Sequence, residues 1–140
     1  MTTAIDTNVL VALWDRDEAV NSAAQAALDA ALRAGRLVIP APVFDELMAC
    51  PGRSEVFLDA FLKDTGISVD WNLDEGIWRT AGQAFQDYAG RRRKQERSGP
   101  RRILADFLIG AYACERRCHL LTLDDRLYRV SFPDLLITRV

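Results

Sequence analysis

Short apolar runs alternate with longer stretches of helical periodicity along most of the chain. TTAID at residues 2–6 and the runs at 37–39, 67–69, 120–122 and 135–138 are three to five residues long, and all but the first are mostly aliphatic. Most are bounded by Gly, Pro or an acidic residue, the pattern of strands buried on both faces. Between them the period changes to 3.6. Apolar residues 9–14 predict a first short helix after Asp6 or Thr7, and Ala24, Ala27, Leu28, Ala31 and Leu32 form one stripe over residues 20–34. Pro42 suits the first turn of a short helix containing Glu46, which Pro51 and Gly52 end. Ser54 caps a helix through Phe57, Leu58, Phe61 and Leu62 that stops at Gly66. Ile77, Trp78, Ala81, Phe85 and Tyr88 predict another, and residues 103–115 a strongly apolar one. Strands alternating with helices predict a single α/β domain with a parallel sheet covered on both faces.

The chain has 140 residues, 49% of them hydrophobic, enough for one cored domain and too few for two ordinary ones. The formal charge of −2 averages two unlike regions. Residues 91–102, RRRKQERSGPRR, carry seven basic groups and one acid, a net +6, so the rest of the chain carries −8. Gly99 and Pro100 mark this segment as a basic loop. No basic leader precedes an apolar run, and no run approaches the ~20 residues of a membrane span, so neither export nor insertion is expected. Cys50, Cys114 and Cys118 form no C-x-x-C pair and suit reduced thiols in a cytoplasm. Cys114, Cys118 and His119 are near one another without an evident fourth zinc ligand.

Four acids sit where a strand gives way to a turn or a helix begins: Asp6, Glu46, Asp106 and Asp124. Individually each has an ordinary explanation as a cap, a dipole partner or a solvated side chain. Jointly they point to one site, because the carboxyl ends of parallel strands open onto a shared crevice. Asp106 lies within Ile103, Leu104, Phe107, Leu108 and Ile109, where an unpaired carboxylate is costly to bury. Converging carboxylates repel by roughly 4 kcal/mol per pair at ~4 Å and an effective dielectric of ~20, so a cation belongs to such a site. Hard divalent ions that favour oxygen, Mg²⁺ or Mn²⁺, suit it. Other chemistries lack their parts. The single histidine, His119, supplies no histidine pair for metal-free ribonuclease chemistry, and neither G-x-S-x-G nor a phosphate-cradling glycine loop occurs.

These residues resemble a known family, the PIN-domain nucleases, and within it the VapC-type toxins of bacterial type II toxin–antitoxin systems. The resemblance rests on Ile5-Asp6-Thr7-Asn8-Val9-Leu10, on Glu46-Leu47 after a proline-marked strand, on Asp106-x-x-Ile109-x-Ala111-x-Ala113, and on Leu121-Thr122-x-Asp124. It covers essentially the whole chain. It implies a five-stranded parallel sheet between helices and a Mg²⁺- or Mn²⁺-dependent endoribonuclease. Asp6, Glu46, Asp106 and Asp124 would be catalytic, with Asp6, Asp106 and Asp124 as metal ligands and Asn8 and Thr122 as supporting polar residues. It further implies a cognate antitoxin that inserts a peptide toward the acidic pocket, and a homodimer. Trp14, Phe44, Phe57 and Phe61 are candidates for lining the antitoxin's groove or for core packing.

Asp45 beside Glu46 and Asp125 beside Asp124 leave the intended acid in each pair open, although the spacing from Thr122 favours Asp124. One ion or two is likewise open. The basic segment is longer than the family usually shows. Its Arg91, Arg92, Arg93, Lys94, Arg97, Arg101 and Arg102 are candidates for gripping RNA phosphates, the alternative being a solvated loop. Rival functions are an RNA-processing PIN nuclease without an antitoxin, a non-catalytic Mg²⁺-binding signalling domain, and a nucleic-acid-binding module using the basic segment alone. The signalling reading lacks an acidic pair after the first strand and a lysine after a late one.

Overall fold

In the computed structural model, which describes residues 1–95 and 102–140, twelve elements alternate along the chain. They are β1 (Thr2–Ile5), α1 (Thr7–Ala12), α2 (Glu18–Ala34), β2 (Arg36–Pro40), α3 (Ala41–Met48), α4 (Glu55–Thr65) and β3 (Ile67–Asp70). α5 (Glu75–Lys94), α6 (Leu104–Glu115), β4 (His119–Thr122), α7 (Arg126–Ser131) and β5 (Ile137–Arg139) follow. The strands form one five-stranded sheet, entirely parallel, in the order β3-β2-β1-β4-β5. β1 is central, hydrogen-bonded to β2 on one side and β4 on the other, and its Ala4 and Ile5 have no exposed surface. That double burial is why its sequence reads as an apolar run.

The order reverses direction between β1 and β4. The chain winds outward from β1 through β2 to β3, then crosses to β4 and winds outward again to β5. With right-handed crossovers, α1 to α4 cover one face and α5 to α7 the other. The seam between β1 and β4 is therefore the topological switch point, where a crevice opens at the strands' carboxyl ends.

Local chemistry sets the boundaries. The Ser54 hydroxyl accepts from Phe57 N at 3.1 Å to start α4, and Gly66 at φ 71 ends it in the left-handed conformation that glycine adopts without strain. α2 begins at Glu18, two residues before the predicted start, because the Asp17 side chain accepts from Ala19 N and Val20 N and caps it. α6 is buried on every side from Phe107 through Ala113. Gly110 is required there, because a Cβ at that position would overlap the ring of buried Phe132.

Two expectations need correction. The basic segment is not a loop from residue 91: α5 continues through Lys94, since Arg and Lys are good helix formers and their charge favours a helix's last turn. Arg97 and Arg101 lie outside the described residues. α7 went unpredicted because six residues are too few for a periodic signal. No helix among the described residues is long and apolar enough to cross a membrane.

Trp14, Phe57 and Phe61 pack edge-on or stacked against one another, and the Arg53 guanidinium lies 4.4 Å over Trp14 and 4.9 Å over Phe57. Phe44 is buried and pairs with Trp71 instead.

Candidate active site

Asp6 leaves the end of β1, and its backbone N–H donates to Leu121 O of β4 at 2.9 Å, which fixes it over the switch point. Its carboxylate accepts three hydrogen bonds, which leaves Oδ1 with room for a further partner. Oδ1 accepts from Thr7 N at 2.8 Å, and Oδ2 accepts from the Thr122 hydroxyl at 2.8 Å and the Tyr128 hydroxyl at 2.9 Å. The Thr122 hydroxyl also lies 3.2 Å from Asp124 O, but its single proton belongs on the shorter, charged partner. The same oxygen accepts from Asn8 Nδ2 at 3.3 Å and from Asp124 N at 3.2 Å. Asn8 Oδ1 accepts from Leu123 N at 3.1 Å, so the amide is oriented and ties α1 to the turn after β4.

The other acids arrive from separate elements. Glu46 extends from α3, where its Oε1 accepts from the Thr7 hydroxyl at 2.6 Å. Asp106 occupies the first turn of α6. Asp124 follows β4, and Arg126 grips it bidentately, Nε on Oδ1 at 3.0 Å and a terminal nitrogen on Oδ2 at 2.9 Å. Arg102 reaches the same Oδ2 at 3.3 Å.

All four acids line one cavity of about 340 Å³ together with Thr7, Asn8, Val11, Arg102, Leu127 and Tyr128. The neighbouring acids are elsewhere. Asp45 is exposed, and Asp125 pairs with Arg129 one helical turn along α7. Thr122 does not line the cavity wall but is fully buried behind it.

Burial sets the electrostatics. Asp6, 6% exposed, has its pKa raised from 3.8 to about 6, first by desolvation and then by Asp106, against its three hydrogen bonds. Glu46 is raised by burial and by Asp106, with the Thr7 hydroxyl opposing. Asp106 is raised by burial and by Asp124, with Arg102 opposing. Asp124 is driven well below the carboxylate range, chiefly by Arg126. Burial and the surrounding carboxylates keep the Tyr128 phenol protonated, so it donates.

The donor set suits a hard divalent cation in kind: carboxylate oxygens from four elements, on three of which burial disfavours the charged form that a cation would stabilise. Among the described residues, no three acidic, Cys or His side chains stand close enough to chelate one ion as they are.

Sequence reasoning missed Thr7, Tyr128 and Arg126 as parts of this site. Thr7 sits inside the quoted N-terminal motif and was legible as a polar residue beside Asp6. Tyr128 and Arg126 lie on the unpredicted α7.

Comparisons with known proteins agree with this architecture. The structure is similar to VapBC2 from Rickettsia felis bound to a DNA fragment from their promoter, with a TM-score of 0.73, 17% identity, and 99% of this chain and 98% of that one covered. It is also similar to VapBC-1 from nontypeable Haemophilus influenzae, with a TM-score of 0.65, 20% identity, and 99% and 98% coverage. A toxin-antitoxin complex from Klebsiella pneumoniae gives a TM-score of 0.62, 17% identity, and 99% coverage of both chains. No match was found among curated protein sequences. The sequence matches the PIN domain family over residues 3–133, nearly its full length, and the chain belongs to that family.

Proposed function

We propose that this protein is a Mg²⁺- or Mn²⁺-dependent endoribonuclease, the toxin of a toxin–antitoxin pair, which hydrolyses RNA phosphodiester bonds in its acidic cavity. One observation carries the reading: four carboxylates from four separate elements line a single cavity at the switch point, three of them ionising against a desolvation cost. A fold keeps such charge where chemistry uses it. Membership in the PIN family and likeness to solved toxin–antitoxin assemblies support it.

Asp6, Asp106 and Asp124 would hold the ion, with Glu46 beside them. A bound divalent ion makes its water more acidic and offsets charge on the phosphoryl oxygens. The chain's own residues do the rest. Thr122, Tyr128 and Thr7 N fix both oxygens of Asp6, so it presents a constant geometry. Asn8 holds the turn that carries Asp124. Glu46, steered by the Thr7 hydroxyl and with its pKa raised, is suited to orient the attacking water and take its proton. The basic end of α5 supplies attraction for the polyanion. Arg93 and Lys94 are exposed, while Arg91 donates to the Ser131 hydroxyl and Arg92 to the Tyr88 hydroxyl.

Purified protein incubated with total RNA should yield fragments in Mg²⁺ and none in EDTA, and Asp106→Asn should lower cleavage by a factor of ~10² or more. Cleavage at the wild-type rate in that variant, or cleavage that ignores chelation, overturns the reading. As a cytoplasmic toxin the protein would be held in check by an antitoxin, so a small reading frame should lie beside its gene, and co-expression with that product should yield a stable complex lacking activity. Light scattering of the free protein tests the homodimer.

A further inference from the structure

Asp124 has more cation than it needs. Arg126 alone satisfies both carboxylate oxygens with a two-pronged grip at 3.0 and 2.9 Å. Arg102 adds a third contact to an oxygen already taken, at 3.3 Å, with both side chains 32% exposed. If holding Asp124 were the task of Arg102, Arg126 already performs it with better geometry. Arg102 is nevertheless anchored: its backbone N–H donates to the Tyr88 hydroxyl at 2.9 Å, which fixes its Cα against α5. Among the described residues lining the cavity it is the one cation, facing four acids.

A guanidinium has five N–H donors, and among the described residues this one spends a single hydrogen bond, on Asp124. Its planar fork matches the two non-bridging oxygens of a phosphodiester. An ion pair with about a third of each side chain exposed exchanges readily at that distance, and moving Arg102 away strands no charge because Arg126 remains on Asp124.

We propose that Arg102 is the phosphate-gripping residue of the acidic cavity, resting on Asp124 in the free protein and passing to a phosphodiester oxygen of the bound RNA. The inference rests on the nuclease reading and adds the residue that lets a polyanion approach four carboxylates. Exchange also leaves Asp124 Oδ2 with one partner instead of two, so substrate binding loosens that acid as the site is used.

The test is equilibrium binding of a short, mixed-sequence, fluorescently labelled single-stranded RNA to the full chain in EDTA, with NaCl varied from ~50 to ~200 mM. Arg102→Gln should weaken binding about tenfold and lower the slope of log affinity against log salt by about 0.7, one single-strand phosphate contact. Arg102→Lys keeps the charge and should keep the slope while losing the affinity of the fork. Arg79→Gln, an exposed α5 arginine paired with Glu75, should match wild type and serves as control. Wild-type affinity and slope in Arg102→Gln overturn the assignment, as does a lost slope in Arg102→Lys, which would mean that the substitutions disturb the fold. If wild-type protein cuts RNA but Arg102→Gln binds it normally, only the Arg102 assignment fails. If wild-type protein neither cuts nor binds RNA, both readings fail.

Discussion

Asp6 is the most deeply buried of the four acids, and the sign of its effect on stability can be worked out. Its folded-state pKa of about 6 lies above the ordinary 3.8, so between those values the folded protein holds a proton that the unfolded chain releases. Stability contributed by protonated Asp6 is therefore present below pH ~4, is lost as pH rises toward ~6, and changes little beyond. The two-unit shift makes the loss at most roughly 3 kcal/mol. Asp6→Asn removes this titration, so in EDTA its stability relative to wild type should climb from pH 4 to 6 and then level, whatever constant offset the altered hydrogen bonds add. Urea unfolding at several pH values measures it, and a difference that stays flat through this range refutes the burial argument. The acids were readable in the sequence because a charge amid apolar residues has few places to go. Tyr128 was not, since a tyrosine among Leu127 and Val130 looks like packing, and only the fold turns its hydroxyl onto Asp6.

At the scale of elements, α5 and α6 pack against each other and share the face of the sheet that carries Asp106, yet they treat glycine differently. Gly82 on α5 is exposed, and a Cβ there meets nothing within 4 Å. Gly82→Ala should stabilise the protein by ~0.5–1 kcal/mol through helix propensity alone. Gly110→Ala gains the same propensity but drives a methyl into the ring of Phe132, and overpacking a core costs typically ~1–3 kcal/mol, so the clash wins. Calorimetry should show opposite shifts in melting temperature, and a stabilised Gly110→Ala would mean that Phe132 moves freely. Strands and long helices were legible because burial imposes period 2 or 3.6 on enough residues to register. The junctions were less so. α5 outran its apolar stripe because basic residues satisfy a helix end without burying anything, and α7 formed because its Leu127, Tyr128 and the following Phe132 all reach the core.

For the whole molecule, the site exists only through topology: residues 6, 46, 106 and 124 meet because the strand order reverses between β1 and β4. Alternating elements made a parallel sheet legible, whereas the order of strands, and hence the position of the seam, depends on contacts between segments more than a hundred residues apart, such as Asp6 with Thr122. A cation binding there would join β1, α3, α6 and the turn after β4, and because the unfolded chain has no such cup, binding adds to folding stability. At a concentration ~100 times its dissociation constant the gain is ~2.7 kcal/mol, on the order of 10 °C in melting temperature for a domain of this size. MgCl₂ or MnCl₂ at pH 7.5 should therefore raise the melting temperature, and EDTA should reverse it. NaCl at equal ionic strength should give a smaller rise, because screening relieves the repulsion without bridging it. The ion's effect should shrink below pH ~6, where protons compete for Asp6, and should be blunted in Asp106→Asn. A rise identical for Na⁺ and Mg²⁺, or undiminished in that variant, would mean that the carboxylates respond to ionic strength and do not close on a common ion.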